Sequence, residues 1–206
     1  MMREQAIQRL RDILGKVTLQ SADKFFREGA KIRDAKDRVL AKYQPLFHPE
    51  SLDRLSSEDF HGFLLYPNNG HWDSLHRQGP QLMADMPRLR EAMGILLDEG
   101  FDICTRLNRL RPSTGEPLVS GLGPAVITAI LLVVYPEKYG VWNGKSQSAM
   151  KELGLWPEMP RGASFGERYV LMNRVLKEVA EELGGDLWTL DMLWWRVKPH
   201  MPQGAE

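Results

Sequence analysis

Apolar residues recur every three or four positions along most of the chain, which is the spacing of one face of an α-helix. The first such stripe, from Ala6 to Leu14, is expected to stop at Gly15. A charged helix from about Ser21 is expected to break at Pro45. Further helices are predicted over Ser57–Leu65, with Ser57 as the cap, and over Met86–Asp98, Phe101–Leu110, Ser146–Leu153, Glu167–Leu183 and Thr189–Val197. The pattern therefore predicts an all-α fold.

The longest apolar run, from Ala125 to Tyr135, is the one segment that also suits a buried strand, because it is rich in β-branched residues. Two prolines favour a helix instead. Pro124 stands at the first helical position and Pro136 ends the run. Since the run is apolar on every side, we expect it to form a central buried helix.

Composition gives no general argument for a nucleic-acid partner. The 206 residues include 27 basic and 27 acidic side chains, so the formal net charge is zero. Any affinity for DNA must come from local clusters of charge. The length suits one helical domain (residues 1–206) or two lobes, with the boundary near residue 100.

The residues that usually bind metals or form disulfides are sparse. Cys104 is the single cysteine, and the five histidines show no ligand spacing, so we expect no metal and no cofactor. The amino terminus begins as a charged helix rather than a signal peptide, and the longest apolar run is too short to span a bilayer. We therefore expect a cytoplasmic protein without a membrane partner.

A tight hairpin is predicted where Gly121-Leu122-Gly123 precedes the apolar helix. Its backbone N–H groups, at a helix N-terminus, suit a phosphate oxygen, and glycine allows the DNA backbone to come close. Arg106, Arg109 and Arg111, on or just after the preceding helix, are expected to point outward and to add positive charge, together with Lys138 and Lys145 beyond the apolar run. The alternative is that the hairpin is only a turn between two helices.

This region resembles a known family. The hairpin, the apolar run and the segment Lys138–Asn143 are similar to the signature of endonuclease III-type DNA glycosylases, in the helix-hairpin-helix superfamily. Leu153-Gly154 matches the Leu-Gly that closes the next helix in that family. The resemblance covers about residues 105–156 and implies a glycosylase-like helical domain that binds double-stranded DNA.

The chain departs from the family at both catalytic positions. Asn143, 22 residues after Gly121, stands where the family has an aspartate that activates the nucleophile and offsets charge developing at C1′. Bifunctional members place a lysine two residues after the second glycine, and here that residue is Ala125. The resemblance therefore implies a non-catalytic domain in which Asn143 is a helix cap. Asp73, Asp85 and Asp102 are alternative carboxylates by residue type alone.

The whole chain also resembles, more faintly, uncharacterised domains of bacterial restriction- and defence-type proteins, some of them joined to AAA+ ATPases. Three segments carry this resemblance: Asn68–Trp72, Gly140–Asn143 and Leu187–Asp191. It implies a partner in a restriction, defence or repair system.

A second candidate site is the segment from Tyr66 to Gly79, which begins with a Pro-Asn-Asn-Gly turn. Aromatic and hydrogen-bonding side chains gather there, and in such a fold they suit base reading; they are Asn68, Asn69, His71, Trp72 and Arg77. The alternative is an ordinary turn followed by a packing tryptophan. The tryptophans at 188, 194 and 195 share a helical stripe with leucines and are expected in the core.

Three interpretations follow from the sequence. The first is a non-catalytic DNA-binding domain that engages duplex backbone and reads a modified or flipped base. The second is a divergent glycosylase or lyase that uses a different carboxylate. The third is a structural or protein-interaction module whose hairpin touches no DNA, which the zero net charge favours.

Overall fold

The computed structural model describes residues 2–19 and 32–198. Every regular element in these two ranges is helical, and none is a strand. The α-helices are α1 (Arg3–Leu19), α2 (Ile32–Phe47), α3 (Ser57–Leu64), α4 (Tyr66–Asn69), α5 (Gly79–Met83), α6 (Met86–Leu97), α7 (Ile103–Leu110), α8 (Pro124–Val134), α9 (Gly144–Glu152), α10 (Phe165–Glu182) and α11 (Leu187–Trp194), with 3-10 helices at Pro49–Arg54 and Leu75–Gln78. The predicted all-α fold is confirmed.

Two predicted helix breaks are wrong. Gly15 lies inside α1, which continues to Leu19, because one glycine costs a helix only about 1 kcal/mol. Pro45 lies in the last turn of α2, which ends at Phe47. The predicted start of that helix near Ser21 falls in residues 20–31, outside the described residues.

Short polar side chains define most helix starts. Ser56, not Ser57 as predicted, caps α3 by accepting a hydrogen bond from the Asp59 N–H. Asp85 and Asp102 cap α6 and α7 in the same way. Ser164 and Glu167 form a reciprocal capping box at the start of α10. These local bonds satisfy N–H groups that a helix leaves open at its N-terminus.

Helix α8 lies at the centre of one hydrophobic cluster that extends from α1 to α11. Val126 to Val133 are all buried, including Thr128, whose hydroxyl bonds back to the Pro124 carbonyl at 2.7 Å. The predicted central buried helix is therefore confirmed, one residue earlier at each end than expected. Its buried faces fix the hairpin before it and the loop after it.

A glycine allows α10 to pack closely on α7. Gly166, at the start of α10, lies against the backbone of α7, and its N–H donates to Asn108 Oδ1 at 2.9 Å. At the C-terminal end of α10, Glu178 and Glu182 pair with Arg3 of α1. No helix in the described ranges is long and apolar enough to cross a membrane.

Candidate functional site

The hairpin is a compact turn whose glycines do different things. Gly121 has a φ of +81°, which favours glycine, whereas Gly123 is extended and caps α8. The Leu122 N–H donates to Val119 O at 3.2 Å and the Gly123 N–H donates to Gly121 O at 2.8 Å. Those two N–H groups are therefore used inside the turn, contrary to the expectation that the hairpin N–H groups point outward. The Leu122 side chain is buried and anchors the turn.

Some backbone N–H groups at the turn have no partner in the described residues. The N–H groups of Gly121 and Ala125 have no hydrogen-bond acceptor within residues 2–19 and 32–198. Ala125 follows Pro124 in the first turn of α8, where N–H groups have no partner in the helix itself. These two N–H groups, unlike those of Leu122 and Gly123, are therefore among those available to an anion.

Two arginines and a glutamine border the hairpin. Arg88 Nε donates to Leu118 O at 3.2 Å, and Arg111 Nη1 donates to Leu122 O at 3.0 Å. A Cβ added at Gly121 would lie 3.1 Å from the Gln81 side chain. Each guanidinium keeps further N–H groups, but Arg88 Nη1 also lies 3.5 Å from Glu91, so the positive charge at the hairpin comes mainly from Arg111 at the end of α7. Arg88 and Gln81 were missed by sequence reasoning, because neither belongs to the hairpin motif.

A groove of about 730 Å³ opens next to the hairpin. It is lined by residues from four parts of the chain: the loop after α4, the first turn of α8, helix α9, and the end of α11. Ala125 and Asn143, the two positions compared with catalytic residues on the basis of sequence, both line it. The fold thus places both positions in one groove.

Asn143 is the N-cap of α9 at the wall of this groove. Its Oδ1 accepts hydrogen bonds from the N–H groups of Lys145 and Ser146, at 2.8 and 2.9 Å. The Ser146 hydroxyl accepts from the Asn143 N–H in return, completing a capping box at the start of α9. Asn143 is therefore the cap that its neutral side chain indicated.

The Asn-Asn-Gly-His-Trp segment is largely buried, unlike an exposed reading loop. Asn69 Oδ1 accepts from the N–H groups of His71 and Trp72, and the Asn68 amide donates to Gly62 O. The Trp72 indole is 2 % exposed and packs on Phe63 and Trp188. Its ring is part of the core, with one edge at the groove wall, and offers no open face for stacking.

A buried carboxylate holds this segment to α11. Asp191 Oδ2 lies 2.8 Å from His71 Nε2 and 2.9 Å from Trp72 Nε1, and both nitrogens donate to it. Sequence reasoning missed Asp191, since 120 residues separate it from His71 and no spacing connects them. Arg77, the last of the proposed reading residues, is exposed on the 3-10 helix that follows.

The expected cationic surface is smaller than predicted. Arg106 was expected to point outward but is 1 % exposed, and it donates to Leu96 O at the end of α6 and to the Tyr139 hydroxyl. Its charge offsets the negative C-terminal end of α6 from inside the protein. Lys138 is held by Glu99, whose hydrogen bond raises the pKa of Lys138.

Two of the expected cations stay exposed. Arg109 lies over the Phe101 ring, and Lys145 lies in the groove with its Nζ 5.2 Å from the centre of the Trp195 ring. Only Lys145 of this pair lines the groove. The positive charge available to a ligand therefore comes from Lys145 in the groove and from the arginines at the hairpin.

The three alternative carboxylates have different surroundings. Asp85 and Asp102 are helix caps, and the hydroxyl and N–H of Thr105 hold the pKa of Asp102 below its ordinary value. Asp73 is different, because it lines the groove and its carboxylate has no partner in the described residues. Glu152 lines the groove too, 3.6 Å from Arg9 Nη1.

No trio of His, Cys, Asp or Glu side chains among the described residues could hold a metal ion.

Comparisons with protein-family models, with curated proteins and with solved structures found no match to this chain.

Proposed function

We propose that the chain is a non-catalytic DNA-binding domain that engages duplex backbone at the hairpin and holds an unpaired or flipped base in the adjacent groove. The observation that carries the proposal is the joint position of Ala125 and Asn143 in that groove. These are the positions from which a glycosylase would act on an extruded base. Here they hold a methyl group and a neutral capping amide, which leave a space for a base without the groups that would cleave it.

The distribution of charge supports separate places for phosphate and base. The groove is lined by two carboxylates and one lysine, a set that does not favour a phosphate inside it. The hairpin instead combines the Gly121 and Ala125 N–H groups with Arg88 and Arg111. Phosphate oxygens are bound in this way by backbone N–H groups and arginines.

The test of backbone binding is Gly123→Val, measured by fluorescence anisotropy on a duplex at low salt. A Cβ at Gly123 meets only Gly121 O, at 4.0 Å, so the variant is expected to keep its fold. The added side chain blocks close approach of the DNA backbone, and we expect affinity to fall at least tenfold, on the order of the loss of one charge-assisted contact.

The control is Gly185→Val, at a glycine between α10 and α11 with nothing within 4 Å of an added Cβ. It should bind like wild type. Wild-type affinity in folded Gly123→Val would show that the hairpin is only a connector. No binding by the wild-type protein at low salt would favour the third interpretation, a structural or protein-interaction module.

One observation favours a second candidate function, base excision by a relocated carboxylate. Asp73 lies in the same groove as Asn143 and has no partner among the described residues. In such a reaction Asp73 would take a proton from water as the water oxygen bonds to C1′. The C1′–N bond would break and its electron pair would leave with the base.

We expect the wild-type protein to release no uracil, 8-oxoguanine or alkylated purine, since Asn143 cannot take up a proton. Product chromatography on duplexes carrying each base checks this. Intact-mass analysis must accompany it, because Asn143-Gly144 can deamidate to aspartate. Release that is abolished by Asp73→Asn, in protein with intact Asn143, would establish the second function instead of the first.

A further inference from the structure

Asp73 is a groove carboxylate that has no partner among the described residues. It stands directly after Trp72 in the loop that forms one groove wall, and its side chain is exposed. No nitrogen in the described part of the chain bonds or pairs with its carboxylate. The other carboxylate of the groove, Glu152, already pairs with Arg9.

The backbone that carries Asp73 is fixed on both sides. Before it, Trp72 is held by its indole hydrogen bond to Asp191 and by its N–H bond to Asn69 Oδ1, at 2.9 and 2.8 Å. After it, His76 Nδ1 lies 2.8 Å from the Asp73 carbonyl oxygen. A fixed backbone limits the positions that the Asp73 carboxylate can reach, so less conformational entropy is lost when a ligand binds to it.

The rest of the groove combines apolar walls with hydrogen-bond donors. Leu75 and Val197 offer apolar walls, and the Lys145 ammonium lies over the Trp195 ring. Asn143 presents amide N–H groups, because its Oδ1 is occupied by the cap of α9. Donors are thus available from Asn143 and Lys145, and the strongest acceptor is Asp73.

We propose that the groove selects an unpaired base that carries an exocyclic amino group, with Asp73 as the specificity-determining residue that accepts from that group. A carboxylate accepts readily from the amino group of cytosine and repels the carbonyl oxygen that uracil has in its place. The same difference separates adenine from hypoxanthine. This inference rests on the proposed function, because it names the base class held by the same groove.

The experiment uses duplexes that are identical except for one base, placed opposite an abasic-site analogue so that it is unpaired in every case. Two matched pairs are compared by competition anisotropy: cytosine against uracil, and adenine against hypoxanthine. We expect wild type to prefer the amino-bearing base by about tenfold or more in at least one pair, the discrimination typical of a direct base contact.

Asp73→Asn should reduce that preference to near unity, because an amide can present either an acceptor or a donor to the base. Asp53→Asn is the matched control: it removes the same charge from an exposed aspartate that does not line the groove, and it should keep the preference. Thermal melts of both variants are expected to match wild type, since both side chains are exposed.

The outcomes separate the two proposals. Wild-type binding without preference in either pair, or an Asp73→Asn protein that keeps the preference, overturns the role of Asp73 and leaves DNA binding intact. A protein that binds none of the duplexes overturns both.

Discussion

At the scale of single residues, Asp191 is a buried carboxylate whose desolvation must be compensated by hydrogen bonds. It is 2 % exposed, and its Oδ2 accepts from both His71 and Trp72, while its Oδ1 has no partner in the described residues. A buried carboxylate is costly unless hydrogen bonds compensate its desolvation. Each of its two donors is therefore expected to matter more than an exposed hydrogen bond would.

Substitutions of Trp72 test whether the hydrogen bonds to Asp191 matter, and their expected effect is on stability rather than on base stacking. Trp72→Ala should lower the free energy of unfolding by about 3–5 kcal/mol, since it removes a large core side chain. Trp72→Phe keeps most of the packing and loses only the bond to Asp191, at about 1–3 kcal/mol. Denaturant titrations measure both.

The control for this pair is Trp156→Phe, because the Trp156 indole makes no hydrogen bond within the described ranges. It should cost clearly less than Trp72→Phe. If Trp72→Ala melts like wild type, the buried position of the indole is wrong and an exposed reading role becomes tenable again.

At the scale of elements, the contact between α7 and α10 depends on the absence of one side chain. A Cβ at Gly166 would fall inside contact distance of the Cys104 carbonyl oxygen, which is backbone and cannot turn away. Because the two helices are closely packed, this overlap can be relieved only if the helices move apart. The sequence signals none of this, since Gly166 occupies the second position of an otherwise ordinary helix.

Gly166→Ala should therefore lower the free energy of unfolding by about 1–3 kcal/mol or more, although alanine is the better helix former. Gly94→Ala, inside α6 with nothing within 4 Å of the new Cβ, should raise it by up to about 1 kcal/mol. Thermal or denaturant unfolding of the two variants shows whether they move in opposite directions. A stabilised Gly166→Ala protein would contradict the close approach of α7 and α10.

At the scale of the whole molecule, zero net charge limits how the chain can attract DNA. Arg106 is inside the protein and Lys138 is paired with Glu99, so two of the expected cations do not contribute. The cations at the proposed interface are Arg88, Arg111 and Lys145, and Arg88 also pairs with Glu91. Binding should therefore be weak and should involve few phosphates.

A plot of log affinity against log salt should accordingly have a slope no steeper than about −4, because each phosphate contact contributes about −0.9. Arg88→Gln should make the slope shallower by about one unit. Anisotropy titrations from 50 to 200 mM salt, a range over which such contacts weaken measurably, give both values. A much steeper slope would place the DNA on another basic surface.

The sequence by itself determined the features that depend on neighbours along the chain. Helical periodicity indicated the all-α fold, Pro124 and Pro136 marked the ends of the buried helix, and Asn143 was recognisable as a cap. These are local effects, since caps and helix ends form between residues three or four positions apart.

Only the tertiary structure decided what is buried and what meets in the groove. The sequence pattern predicts that Arg106 is an exposed residue of an amphipathic helix. In the structure its side chain is buried and donates to the Leu96 carbonyl at the end of α6. Trp72 lies in the core because Asp191, 119 residues later, supplies an acceptor for its indole. Asp73 lines the same groove as Ala125 and Asn143 because of how the helices pack. No local sequence pattern specifies that packing. Burial and proximity between distant segments depend on how the helices pack, and that is a property of the whole chain rather than of any one stretch.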